Sequence, residues 1–393
     1  MDPAASFTRE RKASLTAAIA CAAAVGVGLS LTIPLLSLEM ERMGVSGGWI
    51  GANTAVAGVA SLMVVPFVPR LAARFGVLPL LWASVALVVV SLVAFRVLFG
   101  FAWWFPLRFV FSSGLGVLFV LSEYWIASAA PPARRGLVMG IYATVLALGF
   151  AAGPAILLLV GTAGWAPYLT GAAVFALAAL PLVLARGLSP EVGHGTRRGI
   201  ASFLVAAPAA TLAALVFGAI ETGAFALLPV YALRLGFDAE SAATLVSALA
   251  AGNVVFQIPL GLLSDRIDRR LVLLGAAASG VVGAALLPAI AAHPAALIAV
   301  LFAFGGLTGA LYTVGLAHLG ARFTGADLVS ANAAFVLLYN VGLIVGPPVV
   351  GGAMDARPPH GFAGALAAFC ALYLAVVLWR YLSERRRQRG TVP

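Results

Sequence analysis

Long apolar stretches alternate with short polar segments along the chain, and most charged residues lie in the polar segments. A helix needs about 20 apolar residues to cross the hydrocarbon core of a bilayer. The stretches that approach or exceed this length are 14–38, 49–69, 77–95, 103–127, 137–160, 165–186, 205–231, 240–263, 271–292, 295–318, 327–351 and 361–382. The pattern therefore predicts an all-α membrane protein with twelve transmembrane helices, six in each half of the chain.

The most strongly charged segment is Gly261–Arg270, in which five of the last six residues carry a charge. Charges at this density cannot lie in hydrocarbon, so the segment is predicted to be a tight aqueous turn between two spans. A weaker copy occupies Pro69–Gly76, where Arg74 corresponds to Arg266 at an offset of 192 residues.

A second motif repeats at nearly the same distance. Gly149–Pro154 corresponds to Gly342–Pro347 at an offset of 193 residues. These repeats predict two pseudo-symmetric six-helix halves, residues 1–186 and 201–393, joined by a cytoplasmic linker at 187–200. Such a duplicated membrane bundle is typical of secondary transporters whose substrate site lies between the repeats.

Composition supports a membrane location, because 62% of the residues are hydrophobic and only 10% are charged. The net charge of +10 does not indicate a nucleic-acid partner, since its placement follows the loops. When successive loops are assigned alternately to two sides, about 19 of the 24 basic residues fall on the side of the N-terminus. Both termini are therefore predicted to be cytoplasmic, with the basic tail near lipid headgroups.

The sequence contains no recognisable catalytic or metal-binding pattern. The two cysteines, Cys21 and Cys370, lie in predicted spans and predict no disulfide framework. The histidines at 293, 318 and 360 lack metal-ligand spacing. We therefore expect no metal, no cofactor and no enzymatic activity.

Three ionisable side chains lie within predicted spans, namely Arg108, Glu123 and Glu221. A charge in the membrane is costly, so each is expected to face protein or water. Glu221 lies well inside the seventh span with no cation within one helical turn, and burial favours the protonated form of such a carboxyl. Glu221 is therefore the candidate for proton coupling. The alternative is a protonated glutamic acid that serves only helix packing.

Arg108 lies in the outer part of the fourth span, about 22 Å along the helix from Glu123, so these two residues cannot pair. Arg108 is a candidate for binding an anionic substrate or for influencing the protonation of a cavity acid. Alternatively, its side chain extends to the outer interface.

Several polar residues of the spans are candidates for lining a substrate cavity, although each could instead bond a neighbouring helix. They are Asn53, Tyr142, Asn253, Gln257, Tyr312, Tyr339 and Asn340. Asn253 and Gln257 are four residues apart and therefore share one helix face.

Three motifs carry a resemblance to a known family. Gly261–Arg270 resembles the loop signature of the major facilitator superfamily, G-x-L-x-D-R-x-G-R-R/K. Arg108 with Gly114 resembles the fourth-span pattern R-x-x-x-G-x-G, and Gly149–Pro154 resembles the fifth-span motif common in the family's antiporters. The resemblance implies the twelve-helix major facilitator fold.

Further residues resemble one branch of this superfamily, the YcaD-like proteins of the bacterial inner membrane. These residues are Ser122-Glu123, Arg135-Gly136, Tyr142 and Leu228–Tyr231. The resemblance implies fold, topology and an inner-membrane location, but it supplies no ligand.

The resemblance also implies a set of gating residues. Glu123 would pair with Arg74 and hold the cytoplasmic side closed, although Glu123 could instead carry protons. Asp265 and Arg266 would form the corresponding latch in the second half, with Asp265 accepting backbone N–H groups at a helix end. Ala73 departs from the family pattern because the family has an acidic residue there.

Two glycine–proline pairs complete the expected gating set. They are Gly153 with Pro154 and Gly346 with Pro347. Proline cannot donate to the helical hydrogen-bond ladder, so these pairs are expected to bend the fifth and eleventh spans.

The sequence thus predicts a monomeric secondary active transporter that works by alternating access and handles a small molecule and a proton. The expected activity is proton-coupled export of a small amphipathic or hydrophobic compound by antiport. One alternative is proton-coupled uptake of a small anionic solute through Arg108. An alternative of another class is a non-transporting membrane sensor or partner-binding protein on a transporter scaffold.

Overall fold

A computed structural model describes residues 8–131, 135–185, 208–323 and 325–389. Over these ranges the chain is helical with short turns between helices, and it forms no strand. The predicted linker at 187–200 lies outside the described residues.

The helices of the described ranges follow the predicted spans. They are α1 (Arg9–Arg42), α2 (Gly47–Val64), α3 (Val68–Phe75), α4 (Val77–Val97), α5 (Phe101–Ala129), α6 (Arg135–Val160), α7 (Ala166–Leu184), α8 (Pro208–Arg234), α9 (Ala239–Arg266), α10 (Arg269–Leu286), α11 (Pro294–Arg322), α12 (Gly325–Ala356) and α13 (Gly361–Arg389). Eleven helical stretches among the described residues are long and apolar enough to cross a membrane, and Thr144–Val160 of α6 is a shorter apolar helix. The prediction of an all-α membrane protein is confirmed.

The two charged motifs are more helical than the sequence predicted. α9 continues through Arg266, so the turn between α9 and α10 contains only Ile267 and Asp268. The Asp268 carboxylate accepts the N–H of Arg270 at 2.9 Å and caps the start of α10. The predicted tight turn is therefore present, but it is shorter than the charged cluster because Asp265 and Arg266 extend an exposed helix end.

The corresponding motif of the first half also lies mainly in a helix. A 3-10 segment, Val65–Phe67, joins α2 to α3, and α3 contains most of the Pro69–Gly76 motif. Proline is tolerated at the first positions of a helix, where its missing N–H is not needed. α3 ends at Phe75 and is followed by Gly76, whose φ of 85° is readily adopted only by glycine.

Contacts divide the chain into two compact units. The first unit comprises Met1–Val45 and Val56–Thr196, and the second comprises Ser46–Ala55 and Arg197–Pro393. In the first unit, α1 packs against α5, α6 and α7; in the second, α8 packs against α12, and α9 against α11. The start of α2 therefore belongs to the second unit, although its sequence lies in the first half.

Glycines of the repeated motif bring equivalent helices together inside each unit. Gly149 of α6 lies against the carbonyl oxygen of Ala23 in α1. Gly342 of α12 lies against the carbonyl oxygen of Leu215 in α8, and Leu215 is 192 residues beyond Ala23. A Cβ atom at either glycine would collide with these backbone atoms, so the repeated glycines permit close helix packing.

Candidate functional site

The Glu221 carboxyl group is the centre of a polar cluster in the second unit. Glu221 is half-buried on α8. The hydroxyl of Tyr339, on α12, donates to Oε2 of Glu221 at 2.7 Å. The side-chain amide of Asn253, on α9, donates to Oε1 at 3.5 Å. Three helices thus converge on one carboxyl group, and both of its partners are uncharged.

Small residues explain how these side chains meet. Gly218 lies against the backbone carbonyl of Tyr339, so α8 and α12 approach closely one turn before Glu221. Gly309 of α11 lies against the Asn253 side-chain oxygen, where a Cβ atom would displace it. Glycine at these two positions therefore permits the close approach that brings the polar side chains together.

The polar cluster continues toward the surface of the unit. The side-chain amide of Gln257 donates to Oδ1 of Asn253 at 3.4 Å, and Gln257 is exposed. The predicted pair on one face of α9 is therefore formed. Together with Glu221 and Tyr339, the pair makes a line of polar groups from the half-buried carboxyl to the exposed amide.

A small cavity lies beside Glu221, and its wall is mostly apolar. The lining residues are Phe217, Ile220, Glu221, Ala224, Phe225, Leu249, Asn253, Phe304, Gly305 and Thr308. The Thr308 hydroxyl donates to the carbonyl of Phe304 in its own helix at 2.6 Å, which leaves its oxygen able to accept. The cavity thus combines one carboxyl group, one amide and one hydroxyl with aromatic and aliphatic walls.

An aromatic cluster adjoins the same carboxyl group. The ring of Phe217 stacks on that of Tyr339 with centroids 6.2 Å apart, and it lies 5.6 Å from that of Tyr312. The Tyr312 and Tyr339 rings meet edge to face at 5.4 Å. Phe217 precedes Glu221 by one helical turn, so the Phe217 ring and the carboxyl group share one face of α8.

Glu221 has no cationic partner among the residues that the structure describes. The ion pairs in those ranges are Arg42 with Glu39, Arg234 with Asp355, and Arg269 with Asp265. A carboxylate at membrane depth is stable only if it is paired with a cation, solvated by water or neutralised by a proton. The site therefore favours occupation by one positive charge.

The first unit lacks an equivalent carboxyl group. At the repeat offset of 192 residues, Glu221 corresponds to Leu29; at the motif offset of 193, Tyr339 corresponds to Leu146. Both replacements are apolar and cannot make the hydrogen bond seen in the second unit. The polar cluster is thus an asymmetric feature of a duplicated scaffold.

In the first unit, Glu123 has a different partner from the one implied by the family resemblance. The hydroxyl of Tyr142 donates to Oε1 of Glu123 at 2.6 Å. Arg74 lies exposed on α3 with its guanidinium 5.2 Å from the Phe75 ring. The expected Arg74–Glu123 ion pair is not formed in this structure, because α3 carries Arg74 on an exposed helical face.

Arg108 is deeply buried, with 1% of its surface exposed. Neither Nη atom has a hydrogen-bond partner among the described residues. The side chain therefore does not extend to the interface as the alternative interpretation proposed. Asn53, on the part of α2 that belongs to the second unit, is also fully buried, and neither of its amide atoms has a partner in the described ranges.

The remaining predicted residues make mostly local contacts. Asp265 accepts a hydrogen bond from Arg269 one turn later at 3.2 Å rather than from a helix end, and Arg266 is exposed. The Asn340 amide donates to the carbonyl of Val336 in its own helix at 2.8 Å. These residues are not brought to the Glu221 cluster by any contact that the structure shows.

The glycine–proline pairs lie inside helices, as their motif requires. Pro154 is within α6 and Pro347 within α12. Gly153 lies against Ser30 of α1, and Gly346 lies against Ala219 of α8. Both glycines thus serve close helix packing, and the bend at each proline stays a prediction.

Sequence reasoning missed a carboxylate that binds a helix start. The two Asp355 oxygens accept the backbone N–H groups of Gly47 and Gly48 at 2.9 and 2.7 Å. Arg234 donates to the same carboxylate at 3.0 Å. The signal in the sequence was the Gly-Gly pair at the start of α2. A Cβ atom at Gly47 would lie 2.9 Å from the carbonyl oxygen of Gly351 and 3.0 Å from the carboxylate, whereas one at Gly48 would make only ordinary contact.

The long apolar helices define an integral membrane protein. The sequence profile of the Major Facilitator Superfamily matches residues 18–253 and 210–393. The chain belongs to this superfamily of membrane transporters.

Relatives and solved structures agree with this assignment. The MFS-type transporter YfkF of Bacillus subtilis (strain 168) is 28% identical over 331 residues, which cover 81% of this chain and 83% of YfkF. YcaD of Escherichia coli (strain K12 / DH10B) is 27% identical over 253 residues, covering 63% and 64% of the two chains. The similarity to YcaD supports the predicted branch.

Two solved transporters share the fold at low sequence identity. A bacterial homologue of the human lysosomal transporter Spinster, in an inward-facing and unoccupied conformation, has a TM-score of 0.75 at 13% identity over 95% of this chain and 96% of its own. The nucleoside transporter NupG has a TM-score of 0.72 at 13% identity over 96% of this chain and 99% of its own. The major facilitator fold is thereby confirmed.

Proposed function

We propose that the protein is a secondary active transporter that exports a small amphipathic or hydrophobic compound in exchange for protons. The observation that carries this proposal is the Glu221 carboxyl group, which faces a mostly apolar cavity and has only uncharged hydrogen-bond partners. A group in this position gains or loses a charge at membrane depth when it binds or releases a proton. Its occupancy can therefore be coupled to movement of a second solute.

Each partner of Glu221 has a defined part in this proposal. The Tyr339 hydroxyl donates to Oε2 and stabilises the carboxylate after the proton has left. Proton transfer would occur at Oε1, whose contact with Asn253 is long and readily exchanged. Gln257 connects Asn253 to the exposed surface of the unit and offers a polar route for the proton.

The residues of the repeated motifs are proposed to permit alternating access. Gly153 with Pro154 and Gly346 with Pro347 would let α6 and α12 bend while remaining packed on α1 and α8. The proposed gating contacts are the Glu123–Tyr142 hydrogen bond and the Asp265–Arg269 ion pair. The exposed charges of Arg74 and Arg266 are proposed to take part in gating as well. Location in a bacterial inner membrane, with cytoplasmic termini and a monomeric state, belongs to the same proposal.

Proton movement in reconstituted vesicles tests the proposal. Vesicles loaded with the pH-sensitive dye pyranine receive a panel of neutral lipophiles, organic cations and organic anions under a pH gradient of either sign. We expect wild-type protein to move protons against at least one lipophilic compound and Glu221→Gln to lose this exchange. Glu240→Gln, at an exposed position in the first turn of α9, is the control. Equal exchange by wild type and Glu221→Gln would overturn the proposed role of Glu221.

A second candidate function has its own support in Arg108. The buried Nη atoms of Arg108 have no hydrogen-bond partner among the described residues. An anion that reaches them would stabilise the buried charge, so proton-coupled uptake of a small anionic solute is the alternative. The anion arm of the same panel tests this alternative. Inward proton flow that an organic anion drives in wild-type protein and that Arg108→Gln abolishes would favour uptake. Unchanged proton flow in Arg108→Gln would exclude uptake through Arg108.

A further inference from the structure

We infer that the first unit binds a phospholipid and holds its phosphate group at Arg96. The Arg96 site consists of Arg96 in the last turn of α4, Phe99 in the turn before α5, and Trp165 immediately before α7. The inference is independent of the proton-coupling proposal, because Glu221 belongs to the second unit.

The turn between α6 and α7 places Trp165 beside Arg96. Gly161 and Gly164 in this turn have φ values of 81° and 72°, which favour glycine and let the chain reverse within a few residues. Between them, the carbonyl and the hydroxyl of Thr162 accept hydrogen bonds from the Arg42 guanidinium at the end of α1. The position of the Trp165 ring is therefore set by the turn that precedes it.

Two aromatic rings from different turns contact the Arg96 guanidinium. Its Cζ atom lies 5.5 Å from the centroid of the Phe99 ring and 5.9 Å from that of the Trp165 ring. Contacts of this kind hold a guanidinium group in place without using its N–H donors. The Nε atom is buried and has no hydrogen-bond partner among the described residues. The rings therefore fix the cation and leave its donors available for a ligand.

Charge balance around Arg96 favours an anionic ligand. Glu39, Arg42 and Arg96 lie in one neighbourhood, since the charges of all three act on the Tyr168 hydroxyl. Glu39 is bound to Arg42 at 2.8 Å. Arg96 takes part in none of the ion pairs of the described ranges. The neighbourhood therefore contains one uncompensated positive charge, and an oxyanion from outside the protein would compensate it.

The surface around Arg96 identifies a phospholipid as the source of this oxyanion. Its apolar and aromatic neighbours expose between 44% and 62% of their surface, and they are Val97, Leu98, Phe99, Trp103 and Trp165. Tryptophan and arginine at the ends of transmembrane helices meet the headgroup region of a bilayer. A phospholipid presents its phosphate at this depth and its acyl chains to the exposed side chains. Arginine suits a phosphate group because it can donate two parallel hydrogen bonds.

The second half of the chain lacks the cation and the indole ring of this site. At the repeat offset of 192 residues, Arg96 corresponds to Pro288; at the offset of 193, Trp165 corresponds to Pro358. The duplicated scaffold therefore folds without these side chains in its second copy. The fold itself does not require them, which favours a role in binding.

Lipid binding to the purified full-length protein tests this inference. Native mass spectrometry counts the lipid molecules bound to delipidated protein during titration with dioleoylphosphatidylglycerol. Dioleoylglycerol has the same acyl chains without the phosphate group and is the matched control ligand. Inorganic phosphate tests a soluble anion as the ligand. We expect phosphatidylglycerol to bind and to raise the melting temperature, whereas dioleoylglycerol and inorganic phosphate should do neither.

Variants connect this binding to the Arg96 site. Arg96→Gln should bind phosphatidylglycerol about 5- to 50-fold more weakly and lose one bound lipid. Arg96→Lys keeps the charge without the planar fork, so its affinity should fall between those of wild type and Arg96→Gln. Trp165→Leu should weaken binding about 2- to 5-fold, because one of the two ring contacts is lost. Arg357→Gln, which removes an exposed arginine of the second unit, should bind as wild type does.

Three results would overturn the inference. The first is equal binding of phosphatidylglycerol and dioleoylglycerol by wild-type protein, and the second is unchanged lipid binding in Arg96→Gln. The third is displacement of the lipid by inorganic phosphate, which would identify a soluble anion as the ligand. Melting temperatures without lipid distinguish a lost site from a lost fold. If Arg96→Gln does not fold, unchanged lipid binding in Trp165→Leu would contradict the site instead.

Discussion

The carboxylate of Asp355 is expected to hold the start of α2 on the second unit. It accepts two backbone N–H groups of Gly47 and Gly48 and one bond from Arg234. The change Asp355→Asn keeps the shape of the side chain but removes its charge. The first turn of α2 should then detach more often, because its unpaired N–H groups lose their anionic acceptor.

The size of this effect follows from the two lost interactions. A carboxylate at a helix start contributes about 0.3–1 kcal/mol. The ion pair with Arg234 is partly exposed, with 30% of the Asp355 side chain and 20% of the Arg234 side chain accessible. Solvent screening limits its contribution to about 0.2–1 kcal/mol. The sum of about 0.5–2 kcal/mol makes the detached state about 2- to 30-fold more populated.

Hydrogen–deuterium exchange of the first amides of α2 measures this population. Exchange in Asp355→Asn should be faster than in wild type by the factor given above, while the core amides of α8 should be unchanged. Arg357→Gln, an exposed charge two residues further along, is the control and should leave exchange as it is. Equal exchange in wild type and Asp355→Asn would refute the reasoning that this carboxylate anchors α2.

Three further predictions address packing and capping. Gly342→Ala should cost about 1–3 kcal/mol and lower the melting temperature, since its Cβ would strike the α8 backbone, whereas Gly364→Ala, with open space around it, should not. Phe335→Ala removes a fully buried ring and should cost about 3–5 kcal/mol in denaturant unfolding; a loss below about 1 kcal/mol would contradict its core position. Hydrogen bonds from Ser241 lower the pKa of the exposed Asp238 carboxyl group, which caps the start of α9. The cap is therefore intact at neutral pH and is lost as the pH falls through that lowered pKa. Protection factors of the first α9 amides, corrected for intrinsic exchange rates, should fall in acid.

Most of the fold could be predicted because its signal is local. The length of each apolar stretch sets a helix, and the repeated glycines of Gly149–Pro154 and Gly342–Pro347 indicate the same helix contact in each half. The charged motifs were predicted less well. Charges exclude a segment from hydrocarbon, but they do not decide between a loop and an exposed helix end, and the helix continued through Arg266.

The candidate site was predictable only in part. Glu221 was visible as an isolated acid in an apolar span, and Asn253 with Gln257 as a pair on one face. The hydrogen bond from Tyr339 depends on how closely α8 and α12 approach, which is a tertiary property with no local signal. The partner of Glu123 is also a tertiary property. The family resemblance implied Arg74, whereas the Tyr142 hydroxyl donates to this carboxylate in the structure.

The central claim is that Glu221 itself takes up and releases the proton, and infrared difference spectroscopy of the reconstituted protein measures this directly. Wild-type protein should show the C=O stretch of a protonated carboxyl group that disappears reversibly as the pH is raised. Glu221→Gln should lack it, and Glu240→Gln should keep it. A pH-dependent carboxyl band that persists in Glu221→Gln, or the absence of such a band in wild type, would contradict the account.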